Sequence, residues 1–412
     1  MRDRPLPPLR PLEAFPAEHH GETVIVLRDP EGISDGALTL PLPAYFIVSC
    51  FDGSATPAVI QATLQSQFGL RIRTQDIESL ARQMDEHFLL QTEKYAARRR
   101  QVENEYAALP ARPAIHAGQA YPASPEALKA VFEAFFALEG GAGPLDGLSG
   151  HRRVAGLILP HMDPRCSGAC ASWALKALSE AQKPELFLIF GTAHQPLPGL
   201  FSVSDKDFET PLGVVPCDKQ FVAQLRQTFG AERLTGELVH KNEHSIEFQV
   251  VYLHALYGAP PAFQIVPILC GSFQKMISAG RSPAENPELV EFCGAVRRMA
   301  QASGKRVCCV AAADLAHVGH KFGDEQGLSD ELIDSVRRRD LEMLGHVERL
   351  DREAFFRNLQ AEGDERKVCG LPPMYAMMSC IDPREGKLLR YDYNIDPQTQ
   401  SLVSFCSMAF YA

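Results

Sequence analysis

The stretch VAGLILPHMD, Val154–Asp163, decides the reading of this chain. A short apolar run, Val154–Leu159, stops abruptly at Pro160-His161. The same grammar recurs where Leu186–Phe190 (LFLIF) runs into Gly191-Thr192-Ala193-His194, and where Val307–Ala313 (VCCVAAA) runs into Asp314-Leu315-Ala316-His317. A strand covered on both faces reads as a continuous apolar run, whereas a half-exposed strand alternates. In open α/β sheets, ligands bind just beyond the carboxyl ends of such strands. The pattern therefore predicts an α/β domain with a mostly parallel central sheet flanked by helices. It also predicts imidazoles and a carboxylate gathered on one rim, where they could share a metal ion or a substrate.

Working outward, 412 residues suggest two domains, and 45% hydrophobic residues supply a sizeable core. A net charge of -10 argues against nucleic-acid binding, which leaves a basic footprint. No apolar run is long enough for a membrane helix, and MRDRPLPPLRPLEAF has no apolar segment of the secretory type after its charges. The 11 cysteines are odd in number, scattered and without a CxxC pair, which reads as reduced thiols in a cytoplasmic protein rather than a disulfide framework.

Residues 1–37 are Pro-rich and predict an extended arm. Residues 38–92 read as a small helical domain. Thr56-Pro57 starts one helix with Ile60, Leu64 and Phe68 on a face, and Gly69 ends it. Thr74 starts a second, with Ile77, Leu80, Ala81 and Met84 as its stripe, before a strand-like Phe88–Gln91. This order resembles a small winged-helix module of the kind that accompanies radical-SAM enzymes. A generic helical docking domain fits the same pattern. Residues 93–112 read as a polar helical linker, and residues 113–412 as the α/β domain.

Polar clusters punctuate the α/β domain: Pro160-His161 with Ser167-Gly168, Gly191–His194, Asn242–Glu247 at a helix start, and Asp314–His317, followed late by Cys369 in VCGLPP. Together they resemble the Memo family, also called AmmeMemoRadiSam system protein B. The resemblance rests on AGxxYP at Ala117–Pro122, the PHAGYxxSG-like loop at Pro160–Gly168 and the G-P-S-H-like turn at Gly191–His194. It rests further on EHSIE at Glu243–Glu247, the S-D-x-x-H-like strand end at Ala313–His317 and C-G-x-x-P at Cys369–Pro373. Two departures stand out. Met162-Asp163-Pro164 replaces the usual Ala-Gly-Tyr, so an Asp stands where a Gly would let backbone approach a ligand, and Gln195 stands where a second His is common.

The resemblance implies the fold of the class III extradiol dioxygenases, enzymes of non-haem iron. It implies a redox metal ion, iron or copper rather than zinc, held by His161, His194 and Cys369. Asp314, His317, Glu243 and His244 would line the pocket as candidate catalytic groups. It also implies a place beside a radical-SAM enzyme and an AMMECR-type companion protein. Two imidazoles and a thiolate suit Cu, Fe or Zn, and three protein ligands leave a coordination position free. A catechol-cleaving enzyme would use two His and a Glu instead of a Cys. Three function classes follow: a metal-dependent oxidoreductase, a scaffold that binds a peptide or partner protein through the pocket and N-terminal module, and a zinc hydrolase built on Asp314 and His317.

Overall fold

The computed structural model describes residues 4–34, 36–145 and 150–412. The chain divides into two compact units, Met1–Leu109 and Pro110–Ala412.

The first unit corrects the expected arm over 1–37. Glu13–His19 and Glu22–Arg28 pair as an antiparallel hairpin, and Ala37–Pro41 adds a third strand to Glu22–Arg28. (Residues 1–3 and Asp35 of that arm lie outside the described residues.) His20 and Gly21, both at positive φ (51° and 81°), make the tight turn that right-twisted strands prefer. Val24, Ile25 and Leu27 supply its buried face. The helices Pro57–Phe68 and Thr74–Glu86 form as read, the first capped by the Thr56 hydroxyl and ended by Gly69 in the left-handed region. Ile60, Leu64, Ile77 and Met84 join Leu27 and Val48 in one core. The expected linker is also corrected. Helix Glu93–Ala107 belongs to this unit, where the Tyr95 hydroxyl donates to Glu31 at 2.9 Å and Arg10 lies over the Tyr95 ring. Arg10 in turn pairs with fully buried Asp29 at 2.9 Å.

In the second unit the apolar runs become strands as read. Val154–Leu159, Val307–Ala312, Leu186–Thr192 and Gln264–Cys270 lie side by side in that order, all parallel. Antiparallel strands close both edges. Phe201–Val203 lies beside Gln264–Cys270, while Ser401–Tyr411 pairs with Val154–Leu159, then with Asp314–Gly319 and Glu385–Asp396. The sheet is therefore parallel at its centre and mixed at its margins.

Successive strand residues face opposite layers, as the pleat requires. Phe187 and Ile189 pack with Leu128, Phe132, Leu175 and Leu253 on one face, and Leu186, Leu188 and Phe190 with Phe221, Phe292 and Met374 on the other. Each fully buried side chain of this kind contributes roughly 1.5–3 kcal/mol. Helices Pro125–Ala137, Pro164–Ser179 and His244–Tyr257 cover the first face, and Lys219–Phe229, Pro287–Ala302 and Leu371–Cys380 the second. No helix among the described residues is long and apolar enough to cross a membrane.

Candidate metal centre

The site lies where the parallel strands end. His161 follows strand Val154–Leu159, His194 follows Leu186–Thr192, and Asp314 follows Val307–Ala312. Cys369 arrives from the loop before helix Leu371–Cys380. That loop is drawn against the strand end by two backbone features. Gly370 donates its N–H to the Asp314 carbonyl at 2.9 Å, and a Cβ on Gly370 would meet that oxygen at 2.4 Å. Only glycine fits there.

One nitrogen of His161, one of His194 and the sulfur of Cys369 all lie within 4.8 Å of one another. Cys369 Sγ is 3.3 Å from His161 Nε2. His161 is buried, Cys369 half-buried, and His194 stands at the exposed mouth. The far side of each imidazole is engaged. His161 Nδ1 lies 2.9 Å from the Ala312 carbonyl, which can only accept, so Nδ1 carries the proton and Nε2 keeps its lone pair. His194 Nδ1 lies 3.0 Å from Glu243 Oε1, a carboxylate that holds a proton on Nδ1, so it is Nε2 that becomes the free donor when the ring gives up its other proton.

Burial opposes charge on His194, but the Glu243 carboxylate and the Cys369 sulfur outweigh it and hold its pKa well above 6.5. Burial likewise opposes the Cys369 thiolate, yet His161, backed by hydrogen bonding from His194, draws the thiol below its ordinary value. Among the other cysteines, burial pushes Cys170, Cys217, Cys308 and Cys309 up instead, as expected of inert core thiols. The donor set fits a soft or borderline transition ion: two imidazole nitrogens and a sulfur whose thiolate is favoured.

The other sequence candidates separate here. Asp314 is at the site, with Oδ1 accepting the His161 backbone N–H at 3.0 Å and Oδ2 3.6 Å from His161 Nε2. Burial lifts its pKa to about 6. Glu243 caps helix His244–Tyr257 by accepting the Ser245 N–H at 2.9 Å while it holds His194. Burial raises the pKa of such a carboxyl, but the His194 ring overrides that and carries it well below the usual range. His244 stacks on His194 at 4.6 Å, and the pair forms a second possible donor group with Glu243. Burial keeps the His244 pKa well below 6.5. His317 is not in either donor group among the described residues. Its Nδ1 lies 3.0 Å from the Leu315 carbonyl and its ring sits against Phe322. Asp163 is spent on capping helix Pro164–Ser179 and pairing with Arg165, and it joins neither donor group.

Sequence reasoning missed the support beneath the site. Arg112 and Glu247 form a fully buried pair at 2.5 Å. Glu247 also accepts the Tyr121 hydroxyl and, at 3.0 Å, the His116 backbone N–H. Arg112 donates to the carbonyls of His240 and Glu243 at 2.7 and 2.8 Å. The last Glu of EHSIE thus anchors the Tyr of AGxxYP, and the two motifs form one brace. His116, 5.9 Å from the His244 ring, completes a file of imidazoles running from His116 through His244 to His194 and His161.

Residues 112–409 match the family described as Memo-like protein. A MEMO1 family protein of Aquifex aeolicus is 28% identical over 400 residues, spanning 96% of this chain and 98% of that protein, so the likeness reaches into the first unit. A MEMO1 family protein of Thermus thermophilus is 29% identical over 344 residues, 84% of this chain and 95% of its own length. One of Pyrococcus abyssi is 29% identical over 306 residues, 72% of this chain and 97% of its own length. The motif order, the sheet ending in these clusters and the extent of the match agree: the chain belongs to the Memo family, whose general fold is that of the class III extradiol dioxygenases.

Proposed function

We propose that this protein binds a redox-active metal ion, iron or copper, through His161 Nε2, His194 Nε2 and Cys369 Sγ, and acts as a metal-dependent oxidoreductase. The observation that carries this reading is the convergence of three donor atoms within 4.8 Å, from segments far apart in the chain, with the second nitrogen of each imidazole already engaged. A bound ion of this kind supplies one-electron chemistry and an open coordination position. The chain's own groups supply the rest. Glu243 orients His194 and balances charge on it. Asp314, with a pKa of about 6, holds or releases a proton beside His161 near neutral pH. His244 stays neutral at the mouth, where its ring offers a hydrogen-bonding nitrogen without adding charge. With Cys369 as the third donor beside His161 and His194, catechol cleavage is disfavoured, and thiolate ligation lowers the Lewis acidity a zinc hydrolase needs.

Family membership supports a further proposal. The protein works with a radical-SAM enzyme and an AMMECR-type companion, with a small molecule or peptide as ligand and the first unit as docking module. Elemental analysis of anaerobically prepared protein tests the central claim. One iron or copper per chain is expected, and it is lost in His161→Ala. Full-length chain with no redox metal, or equal metal in that variant, defeats the oxidoreductase reading and leaves the scaffold reading in its place.

A further inference from the structure

The loop Ala193–Leu200 carries His194 on its first turn and forms one wall of a cleft of about 740 Å³. The opposite wall is the segment Gly271–Arg281. A smaller cavity, about 250 Å³, shares His194 with this cleft and is lined by Cys369. The two spaces therefore meet at the donor cluster, and together they offer the volume of a small organic ligand.

The chemistry of the walls is asymmetric. Leu197 and Met276 give an apolar surface next to His194. Lys275 and Arg281 also line the cleft, and among the described residues neither side chain carries an ion pair. Other cations of the same unit, such as Arg226, Arg233, Arg339, Arg366 and Arg390, are paired with acids, whereas these two face the cleft with their charge uncompensated. The acid in the cleft, Glu288, accepts the Leu200 backbone N–H through Oε1 at 3.1 Å, and no ion pair joins it to Lys275 or Arg281 among the described residues.

Arg281 is also well mounted. Its N–H donates to the Met276 carbonyl at 3.0 Å and its own carbonyl accepts from Gln360. The next residue, Ser282, donates to Glu353 at 2.5 Å. The backbone of the turn is thus fixed, the Arg281 side chain is exposed into the cleft, and a guanidinium fork matches the planar pair of oxygens of a carboxylate or phosphate. Unpaired cations beside an apolar wall in an otherwise acidic protein also concentrate anions locally.

We propose that this cleft binds the anionic end of a small organic substrate, carboxylate or phosphate ester. Lys275 and Arg281 hold the anion, and the substrate's apolar body lies along Leu197 and Met276 with its far end at His194 and Cys369. The anion site stands on the cleft alone. The position of the reacting end rests on the metal-centre reading above.

Calorimetric titration of the full chain with phenyl phosphate, benzoate and uncharged benzyl alcohol tests it, in metal-free protein and again after Fe(II) loading. The metal-free form separates anion capture by side chains from direct coordination to an ion. At least one of the two anions is expected to bind the metal-free protein about tenfold or more tightly than the alcohol, and which one identifies the substrate class. Lys275→Ala and Arg281→Ala are each expected to weaken that binding by about tenfold, with thermal midpoint and iron content unchanged. Equal binding of alcohol and anion, undetectable binding of both anions, or a K275A/R281A double variant that binds as the parent does, overturns the proposal. Anion binding that depends on the two cations in a protein that takes up neither iron nor copper upholds the cleft and defeats the metal reading.

Discussion

Glu243 grips His194 at two points, accepting its backbone N–H and its ring Nδ1, each at 3.0 Å. The carboxylate thereby sets where the ring points, which nitrogen is free and how basic that nitrogen is. Glu243→Gln keeps the size and one acceptor but removes the charge. Metal affinity is expected to fall about 10–100-fold, the usual loss for a carboxylate behind a ligating histidine. Competition against a chromophoric chelator measures the affinity. NMR titration of the metal-free variant is expected to show the His194 pKa falling from its raised value.

On the proposed metal reading, protons compete with the ion for these donors. His194 titrates well above 6.5, so below that raised value its ring is protonated and cannot ligate. Cys369 must also give up its proton. Affinity therefore rises with pH, by about tenfold per unit for each proton displaced. Calorimetry in two buffers of different ionisation heat is expected to show proton release that diminishes as pH rises through the His194 value. In the metal-free protein the sign for stability is opposite. The raised His194 pKa contributes fully below the ordinary histidine value, and the contribution fades as pH climbs through the folded one.

Cys369→Ser replaces a soft donor by a hard one. In Co(II)-loaded protein the sulfur-to-metal charge-transfer absorption is expected to vanish. Preference for Cu(I) is expected to fall more than preference for Zn(II), since thiolate softness favours the former. An unchanged spectrum would remove Cys369 from the ligand set.

The Arg112–Glu247 brace is fully buried, so removing one partner strands a charge. Arg112→Met is expected to destabilise the α/β unit by about 3–5 kcal/mol. Trp173 is the chain's one tryptophan and sits on helix Pro164–Ser179 of that unit, so its fluorescence during urea unfolding reports this unit. The double change of Arg112→Met with Glu247→Leu is expected to recover part of the loss, because no charge remains unpaired.

Much of the α/β unit was legible because its strands are covered on both faces. Burial on two sides forces continuous apolar runs, and the polar residue that stops each run marks the rim. EHSIE was legible as a helix start because Glu243 is a cap, and Cys369 through the family's motif. The rest was hidden for physical reasons. Arg112 and Glu247 belong to residue types that are ordinarily solvated, and nothing local announces that they neutralise each other in the interior. His116 lies just upstream of a motif read for its glycine and tyrosine. In the first unit Pro-rich composition masked the strand Glu22–Arg28, although TVIVLR after His20-Gly21 carries the β-branched signature and the turn. Helix Glu93–Ala107 read as a linker because its polar length conceals what Tyr95 does.

The sulfur of Cys369 and the ring of His161 meet across 208 positions of chain. No partial fold that lacks the late Cys369 loop can bring the three donor atoms together, so on the proposed metal reading a nascent chain completes the site only once that loop has been made and docked. On that reading, loading would certify completed tertiary structure: truncated or mispaired molecules would take up no ion, and the holo fraction of a preparation would count the correctly finished ones.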